Sequence, residues 1–389
     1  MLHFYDTSTE PTPAMIEAMA TAELGDDVYH SDPTVNELER LGASLLGHAD
    51  AVYMPTGTMS NLSAVLAAAD RGSEVIAEAN SHIVYYEAGG MAAVAGTMPR
   101  TIPTDDGVLT AERVVPYLRK PDQHYPLTSM LCVENTHNRA GGTVTDVATM
   151  AGLRALCDEH GLHLHVDGAR IFNAAVALGV DAARLSGPAD SVSVCLSKGL
   201  SAPVGGLLAG SEEFVARGRR ARKLLGGSMR QAGVVAAAGI VALQTGIDRL
   251  AEDHLRARRI ADGLRTVTGL TVLTPSPVTN FVLIDVAASG RSAEDVVADL
   301  RRYGINASSR PPTTIRFVTH RQIGDDEVAT LIKTLTEIMG DGTHDPGGGR
   351  RRGASDRTDA VNSYEQPSGS PRPEAEREGG DRWSKPSRS

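Results

Sequence analysis

The sequence is short of basic charge and of long apolar runs. Of its 389 residues, 38 are Lys or Arg and 48 are Asp or Glu, which gives a net charge of -10 at pH 7. This balance argues against nucleic-acid binding, because phosphate binding usually appears as a clustered basic surface. No run approaches the roughly 18 apolar residues of a membrane span, and the N-terminus lacks the features of a signal peptide. We therefore expect a cytoplasmic protein that binds neither nucleic acid nor membrane.

Cysteine is also scarce. Cys132, Cys157 and Cys195 lie in or beside apolar stretches, and they form neither a CxxC pair nor the Cys/His spacing of a metal site. Free cysteine usually behaves as a small buried hydrophobic residue. The sequence therefore predicts buried thiols in a reducing compartment and no metal centre.

What the chain does contain is an alternation of short apolar runs with helical patterns. This pattern predicts an α/β fold, with a mostly parallel sheet covered by helices. A turn at 55–58 leads from the first predicted strand, at 51–54, into a helix, and a crossover helix is expected at 150–160. Strands are expected at 51–54, 74–77, 130–135, 162–167 and 191–197, with two more at 279–286 and 314–320.

Composition also suggests how the chain is divided. We expect a large domain at 15–245 and a smaller α+β domain at 246–340, with residues 1–14 as an N-terminal segment close to the functional site. Residues 341–389 are rich in Gly, Pro, Ser and charged residues and poor in apolar ones. Such a segment cannot bury enough apolar surface to offset its ordering entropy, so a disordered tail is predicted.

An acid and a lysine stand at the ends of two predicted core strands. Asp167 arrives as the strand 162–167 ends, where open α/β sheets bind ligands; taken alone it is better explained as a solvated acid at a strand end. Lys198 follows the run 191–197, and it is one of only five lysines in the chain. Burial makes a lysine amine available for a Schiff base. Pyridoxal 5'-phosphate (PLP) needs such a lysine, together with an acid for its pyridine nitrogen.

Two weaker signals complete this site. Gly57 and Thr58 lie where a turn opens a helix, and such a turn presents free N–H groups to a phosphate. His82 could lie flat over a pyridine ring. Each has an ordinary alternative, since many helix starts bind nothing and many histidines are structural.

With these residues the sequence resembles the low-specificity L-threonine aldolases, PLP enzymes of fold type I within the β-eliminating lyase group. The pair HVDGAR and LSKGL, in the strings at 165–174 and 195–208, is the most specific part of the resemblance. The other matching strings lie at 25–29, 32–39, 55–62, 87–90, 134–138, 226–233 and 315–320.

The resemblance implies a role for each site residue. Lys198 would form the Schiff base with PLP, Asp167 would pair with the pyridine nitrogen and His82 would stack on the ring. The remaining roles are implied in the same way: phosphate binding by Gly57, Thr58 and Arg230, the last from a neighbouring subunit of a homodimer or homotetramer; substrate carboxylate binding by Arg170 and Arg316; and contact with the substrate hydroxyl by His124.

The implied reaction is cleavage of a β-hydroxy-α-amino acid, such as threonine, to glycine and an aldehyde. Two positions depart from the family pattern. Tyr5 stands where relatives have a serine that binds the substrate carboxylate, and His30 stands where they commonly have glycine. These departures are read either as ordinary drift or as a changed pocket. The second reading admits a transaldolase, a β-eliminating lyase or an enzyme for an unusual amino acid. A non-catalytic relative would be expected to lack Lys198 or Asp167.

Overall fold

The computed structural model describes residues 1–120 and 122–340, so the predicted tail at 341–389 lies outside the described residues. Its largest sheet has seven strands. In spatial order they are β2 (Asp50–Met54), β8 (Gly206–Gly210), β7 (Ser191–Cys195), β6 (His163–Asp167), β5 (Thr128–Glu134), β3 (Glu74–Glu78) and β4 (Met98–Ile102). β8 is antiparallel to both of its neighbours, and the other adjacent pairs are parallel.

This large sheet is buried on both faces. Along β2, Ala51 and Tyr53 belong to one hydrophobic core, whereas Val52 and Met54 belong to another. Successive side chains of a strand point to opposite faces, so the two cores lie on opposite sides of the sheet. This arrangement confirms the α/β fold predicted from the sequence.

Two smaller sheets organise the C-terminal part. One contains β12 (Ser308–Arg310), β13 (Thr314–Val318), β10 (Phe281–Asp285) and β9 (Thr271–Val272), all antiparallel. The other pairs β1 (Leu2–His3) in parallel with β11 (Ile305–Asn306). Phe4 is buried in the core of this part, so the N-terminal segment folds with the C-terminal strands.

Several helices of the described residues begin at a side-chain cap. At the start of α2 (Pro33–Leu46), Asp32 accepts a hydrogen bond from the amide of Val35, and Gly47 ends the helix with a φ of 73°. Helices α1 to α7 are Pro13–Thr21, Pro33–Leu46, Gly57–Ala68, His82–Tyr85, Ala111–Val114, Val147–His160 and Ile171–Leu178. Helices α8 to α13 are Ala183–Ser186, Glu212–Leu224, Gly233–Thr245, Leu250–Leu264, Ala293–Arg302 and Asp325–Gly340.

The change from one core to the next falls inside α11. Leu250 still packs in the core of the large sheet, whereas Ala257 belongs to the C-terminal core. The sequence placed this boundary at 246, before the helix. No single described helix is long and apolar enough to cross a membrane, although α10 and α11, bent by 70°, reach that length and composition together.

Candidate active site

The candidate site lies where the central strands of the large sheet end. β6 ends at Asp167, which pairs in register with Glu134 of β5 and with Ser193 of β7. Lys198 lies on the loop after β7 and is half-buried. A cavity of about 250 Å³ opens here, and its lining includes Gly57, Thr58, Asn61, His82, Asp167 and Lys198. The structure thus brings together the cofactor residues that the sequence placed far apart, with the exception of Arg230.

Asp167 is held by two hydrogen bonds. Asn61 Nδ2 donates to Oδ2 over 2.9 Å, and the amide of Ala169 donates to Oδ1 over 3.2 Å. Asn61 is itself fixed, because its Oδ1 accepts a hydrogen bond from Ser193 Oγ at 2.5 Å. All of these side chains are buried. The sequence analysis gave Asn61 no role, although it lies within one of the matching strings.

His82 begins α4 and is oriented by two glutamates. Its backbone amide donates to Glu134 Oε2 over 2.6 Å, and its Nδ1 lies 2.9 Å from Glu87 Oε1. Burial acts to lower the pKa of His82, but the hydrogen bond to Glu87 and the charge of Asp167 outweigh it and raise that pKa. His82 is therefore held in one orientation at the cavity wall.

His82, Glu87 and Asp167 also place their ligand atoms within 4.8 Å of one another, a spacing that could hold a metal ion. Asn61 Nδ2, however, donates to Glu87 at 2.7 Å as well as to Asp167. Glu87 Oε1 and Asp167 Oδ2 are thus both engaged in hydrogen bonds with Asn61.

The opposite end of the cavity is formed by the first turn of α3. Thr56 caps the helix by accepting from the amide of Met59, and the amides of Gly57 and Thr58 have no acceptor among the described residues. A Cβ on Gly57 would lie 2.5 Å from Cys195 Sγ. Free amides at the start of a twelve-residue helix suit an anion such as phosphate.

The two arginines expected at the substrate carboxylate differ in their contacts. Arg170 is buried and makes a bidentate ion pair with Asp6, with Nε–Oδ2 and Nη2–Oδ1 distances of 2.5 Å and 2.7 Å. Arg316 donates to Asn138 Oδ1, and its buried Nε has no hydrogen-bond partner among the described residues. No role was predicted for Asp6 from the sequence, although it directly follows Tyr5, which departs from the family pattern.

Neither these two arginines nor the remaining expected residues line the cavity of this chain. His124 is exposed beside Asp122, His30 is exposed, and exposed Arg230 pairs with Asp26 at 2.9 Å. The Tyr5 hydroxyl donates to the carbonyl of Ala307 over 2.5 Å.

The described residues fit PLP. The cavity offers a half-buried lysine for the aldehyde, a fixed carboxylate for the pyridine nitrogen and a histidine at its wall, with free helix amides for the phosphate. Gly57 leaves no space for a side chain beside Cys195, so backbone forms that part of the wall.

Comparison with known proteins agrees with this arrangement. The family model for the beta-eliminating lyases matches residues 5–289. The chain is 42% identical over 339 residues to a probable low-specificity L-threonine aldolase of Arabidopsis thaliana, covering 86% of this chain and 96% of the relative. It is 41% identical over 327 residues to the low-specificity L-threonine aldolase of Escherichia coli K12, covering 84% and 95%.

Solved structures share the fold. The threonine aldolase of Leishmania major superposes with a TM-score of 0.76 at 22% identity, covering 87% of this chain and all of that one. A putative L-allo-threonine aldolase of Listeria monocytogenes gives a TM-score of 0.73 at 20% identity, covering 88% and 96%. The fold, the site and the sequence identity agree, and the chain therefore belongs to the beta-eliminating lyase family, among the low-specificity L-threonine aldolases.

Proposed function

We propose that this protein is a PLP-dependent aldolase that cleaves L-threonine and related β-hydroxy-α-amino acids to glycine and an aldehyde. The observation that carries the proposal is Lys198. The other lysines of the described chain, Lys120, Lys223 and Lys333, are exposed, whereas Lys198 is half-buried in the cavity that Asp167 and His82 line. Relatives named as threonine aldolases match the chain over almost their whole length.

Each residue has a limited task in this reaction. PLP, when bound, supplies a protonated pyridine ring that takes up the electron pair of the breaking Cα–Cβ bond. Lys198 would hold the cofactor through its amine. Asp167 would accept a hydrogen bond from the pyridine N–H, and Asn61 keeps the Asp167 carboxylate in place. His82 stands at the wall where it can cover a flat ring, fixed by Glu87.

The substrate is oriented mainly by Arg316. Its buried Nε has no hydrogen-bond partner in the part of the chain that the structure describes, so the guanidinium has donor capacity left for one oxygen of the α-carboxylate. Fixing this carboxylate sets the rotation about Cα and so decides which bond stands perpendicular to the ring. Arg170 supports the same region, with two of its nitrogens engaged by Asp6. The hydroxyl contact expected for His124 has no support within this chain, where that side chain is exposed.

An activity assay tests the reaction. We expect the purified holoenzyme to convert L-threonine to glycine and acetaldehyde, and Lys198→Ala to lower kcat by at least about a thousandfold. Release of ammonia and a 2-oxo acid instead would indicate elimination and would refute the aldolase assignment.

A chemical label tests the lysine. Borohydride reduction followed by peptide mapping should place the cofactor on Lys198. Lys223, which is exposed on α9, provides the internal control. Label on Lys223, or no label on the protein, would contradict the assignment of Lys198.

A further inference from the structure

Two arginines of the small sheet, Arg310 on β12 and Arg316 on β13, lie on one face of that sheet. In the β12–β13 pair Ser308 is opposite Arg316, and Arg310 is two residues from Ser308 on the same strand. Side chains two apart share a face, so Arg310 and Arg316 point to the same side. The Asn138 side chain joins them, because its Oδ1 accepts from Arg316 Nη1 and lies 3.5 Å from Arg310 Nη2.

A third arginine connects this pair to the cavity wall. Arg310 Nη1 donates to the carbonyl of Arg139 over 3.0 Å. The Arg139 side chain donates to the Tyr86 hydroxyl over 3.0 Å, and its guanidinium lies 4.1 Å from the centre of the Tyr85 ring. Tyr86 in turn lies 5.5 Å from His82, ring centre to ring centre. We call Arg139, Arg310 and Arg316 the arginine cluster. Through Tyr86, this cluster is connected to His82 in the cavity lining.

The arginine cluster carries positive charge that no described carboxylate matches. Its partners are the Asn138 carboxamide, backbone carbonyls and a phenol. Asp6 is nearby, but both of its oxygens are bound by Arg170. Burial lowers the pKa of Arg310 to about 10, and the charges of Arg316, Arg139 and Arg170 contribute. A site with this surplus favours a ligand with more than one negative charge.

We propose that Arg310, with Arg139, forms a second anion subsite that selects substrates whose side chain carries a carboxylate. The proposal rests on the proposed function, in which Arg316 receives the α-carboxylate. One α-carboxylate matches only one charge of the arginine cluster. The substrate class is therefore the β-hydroxy-α-amino dicarboxylic acids, of which 3-hydroxyaspartate is the smallest.

The reaction with such a substrate is the same retro-aldol cleavage. The Cα–Cβ bond breaks, the hydroxyl loses its proton to become the carbonyl of an aldehyde, and Cα gains a proton. From 3-hydroxyaspartate the products are glycine and glyoxylate. Nothing is oxidised or reduced overall, so no further reactant is needed.

Ligand binding without cleavage tests the subsite. L-aspartate and L-asparagine have nearly the same shape, share the α-carboxylate and lack the hydroxyl that the cleavage needs. Titration calorimetry on the holoenzyme should give a dissociation constant for aspartate about tenfold lower than that for asparagine. A hydrogen bond between charged groups contributes at least the binding free energy that corresponds to this factor. In Arg310→Gln the ratio of the two dissociation constants should fall to near one. A purely structural role of Arg310 would weaken both ligands alike.

Matched variants complete the design. Arg310→Lys should keep part of the preference because it keeps the charge, and Arg139→Gln should reduce it. Arg220→Gln removes one charge from an exposed position of α9 and should leave the ratio unchanged. Equal binding of the two ligands by the wild type, or a preference that survives in both Arg310→Gln and Arg139→Gln, would overturn the proposal. Because neither ligand is cleaved, failure here is distinguishable from failure to cleave threonine.

Discussion

At the scale of single residues, Asp6 and Arg170 form a buried ion pair. Both side chains are at least nine-tenths buried. Burial acts to raise the pKa of Asp6, but the charge and hydrogen bonds of Arg170 outweigh it and lower that pKa to about 2. Removing one partner of such a buried pair lowers the free energy of unfolding, because the other charge then remains buried without an opposite charge beside it.

We expect Asp6→Asn to lower the free energy of unfolding by about 3 kcal/mol at pH 7. Asp6 has a lower pKa in the folded protein than in the unfolded chain, so its contribution is complete above about pH 4 and is lost as the pH falls toward 2. The difference between wild type and variant should therefore be constant from pH 5 to 7 and shrink below pH 4. Urea unfolding across this range measures it.

Glu37→Gln is the matched control for that experiment. Glu37 and Arg40 form an exposed pair with side chains 42% and 70% accessible. Such pairs contribute little, so the change should stay within about 0.5 kcal/mol at every pH. A cost for Asp6→Asn no larger than this would show that Arg170 does not depend on Asp6.

At the scale of elements, α3 serves both ends of the candidate cofactor site. Gly57 and Thr58 form its first turn, and Asn61 holds Asp167. Residues four apart lie on the same face of a helix, one turn of about 5.4 Å along the axis. A single helix therefore fixes the spacing between the anion site and the carboxylate, which the rigid pyridine of the cofactor requires.

We predict that Gly57→Ala weakens PLP binding by about tenfold, because the added Cβ would meet Cys195 Sγ at 2.5 Å and the helix start must shift. Cofactor titration of the apoprotein gives the dissociation constant. The double variant Gly57→Ala, Cys195→Ala removes the clash and should recover most of the affinity.

Gly152→Ala on α6 is the control for this glycine. A Cβ there meets nothing within 4 Å, and alanine is the better helix former, so cofactor affinity should not change. If the double variant bound PLP as weakly as the single one, the clash with Cys195 would not be the cause.

At the scale of the whole molecule, the position of Arg230 predicts an oligomer. Arg230 is exposed and pairs with Asp26, and it does not line the cavity that contains Gly57 and Thr58. We expect a homodimer or homotetramer in which Arg230 serves the site of a neighbouring subunit. Light scattering should give a mass of two or four chains, and a fully active monomer would refute the expectation.

Subunit mixing tests the same point by activity. Lys198→Ala and Arg230→Ala should each be poorly active alone. If Arg230 acts across the interface, a hybrid dimer has one site with both residues intact, and activity should rise well above that of either parent. If Arg230 acted within its own chain, every site of the hybrid would carry one defect and mixing would recover nothing.

We expect that deletion of residues 343–389 leaves threonine cleavage and assembly unchanged. The relatives are matched over 95% or more of their own length by 339 residues or fewer of this chain, which has 389. Their composition is poor in apolar residues, which carry most of the energy of packing. A deleted form with altered kcat or altered mass per particle would assign these residues a role.

The sequence alone determined what depends on local pattern. The predicted strands at 51–54, 162–167 and 191–197 are confirmed within two residues as β2, β6 and β7. Alternating apolar residues mark buried strands, and ligand sites lie at the carboxyl ends of parallel strands, so Asp167 and Lys198 could be singled out. The matching strings then led to the family.

Only the tertiary structure decided which distant side chains meet. Asp6 and Arg170 are 164 positions apart, and Asn61 and Asp167 are 106 apart. Such pairs arise from strand order and helix crossings, which the periodicity of one segment does not encode. The same holds for the arginine cluster, which unites a loop with the small sheet. The exposure of His124 could not be predicted from the sequence either, since a short motif gives the residue type but not its position in the fold.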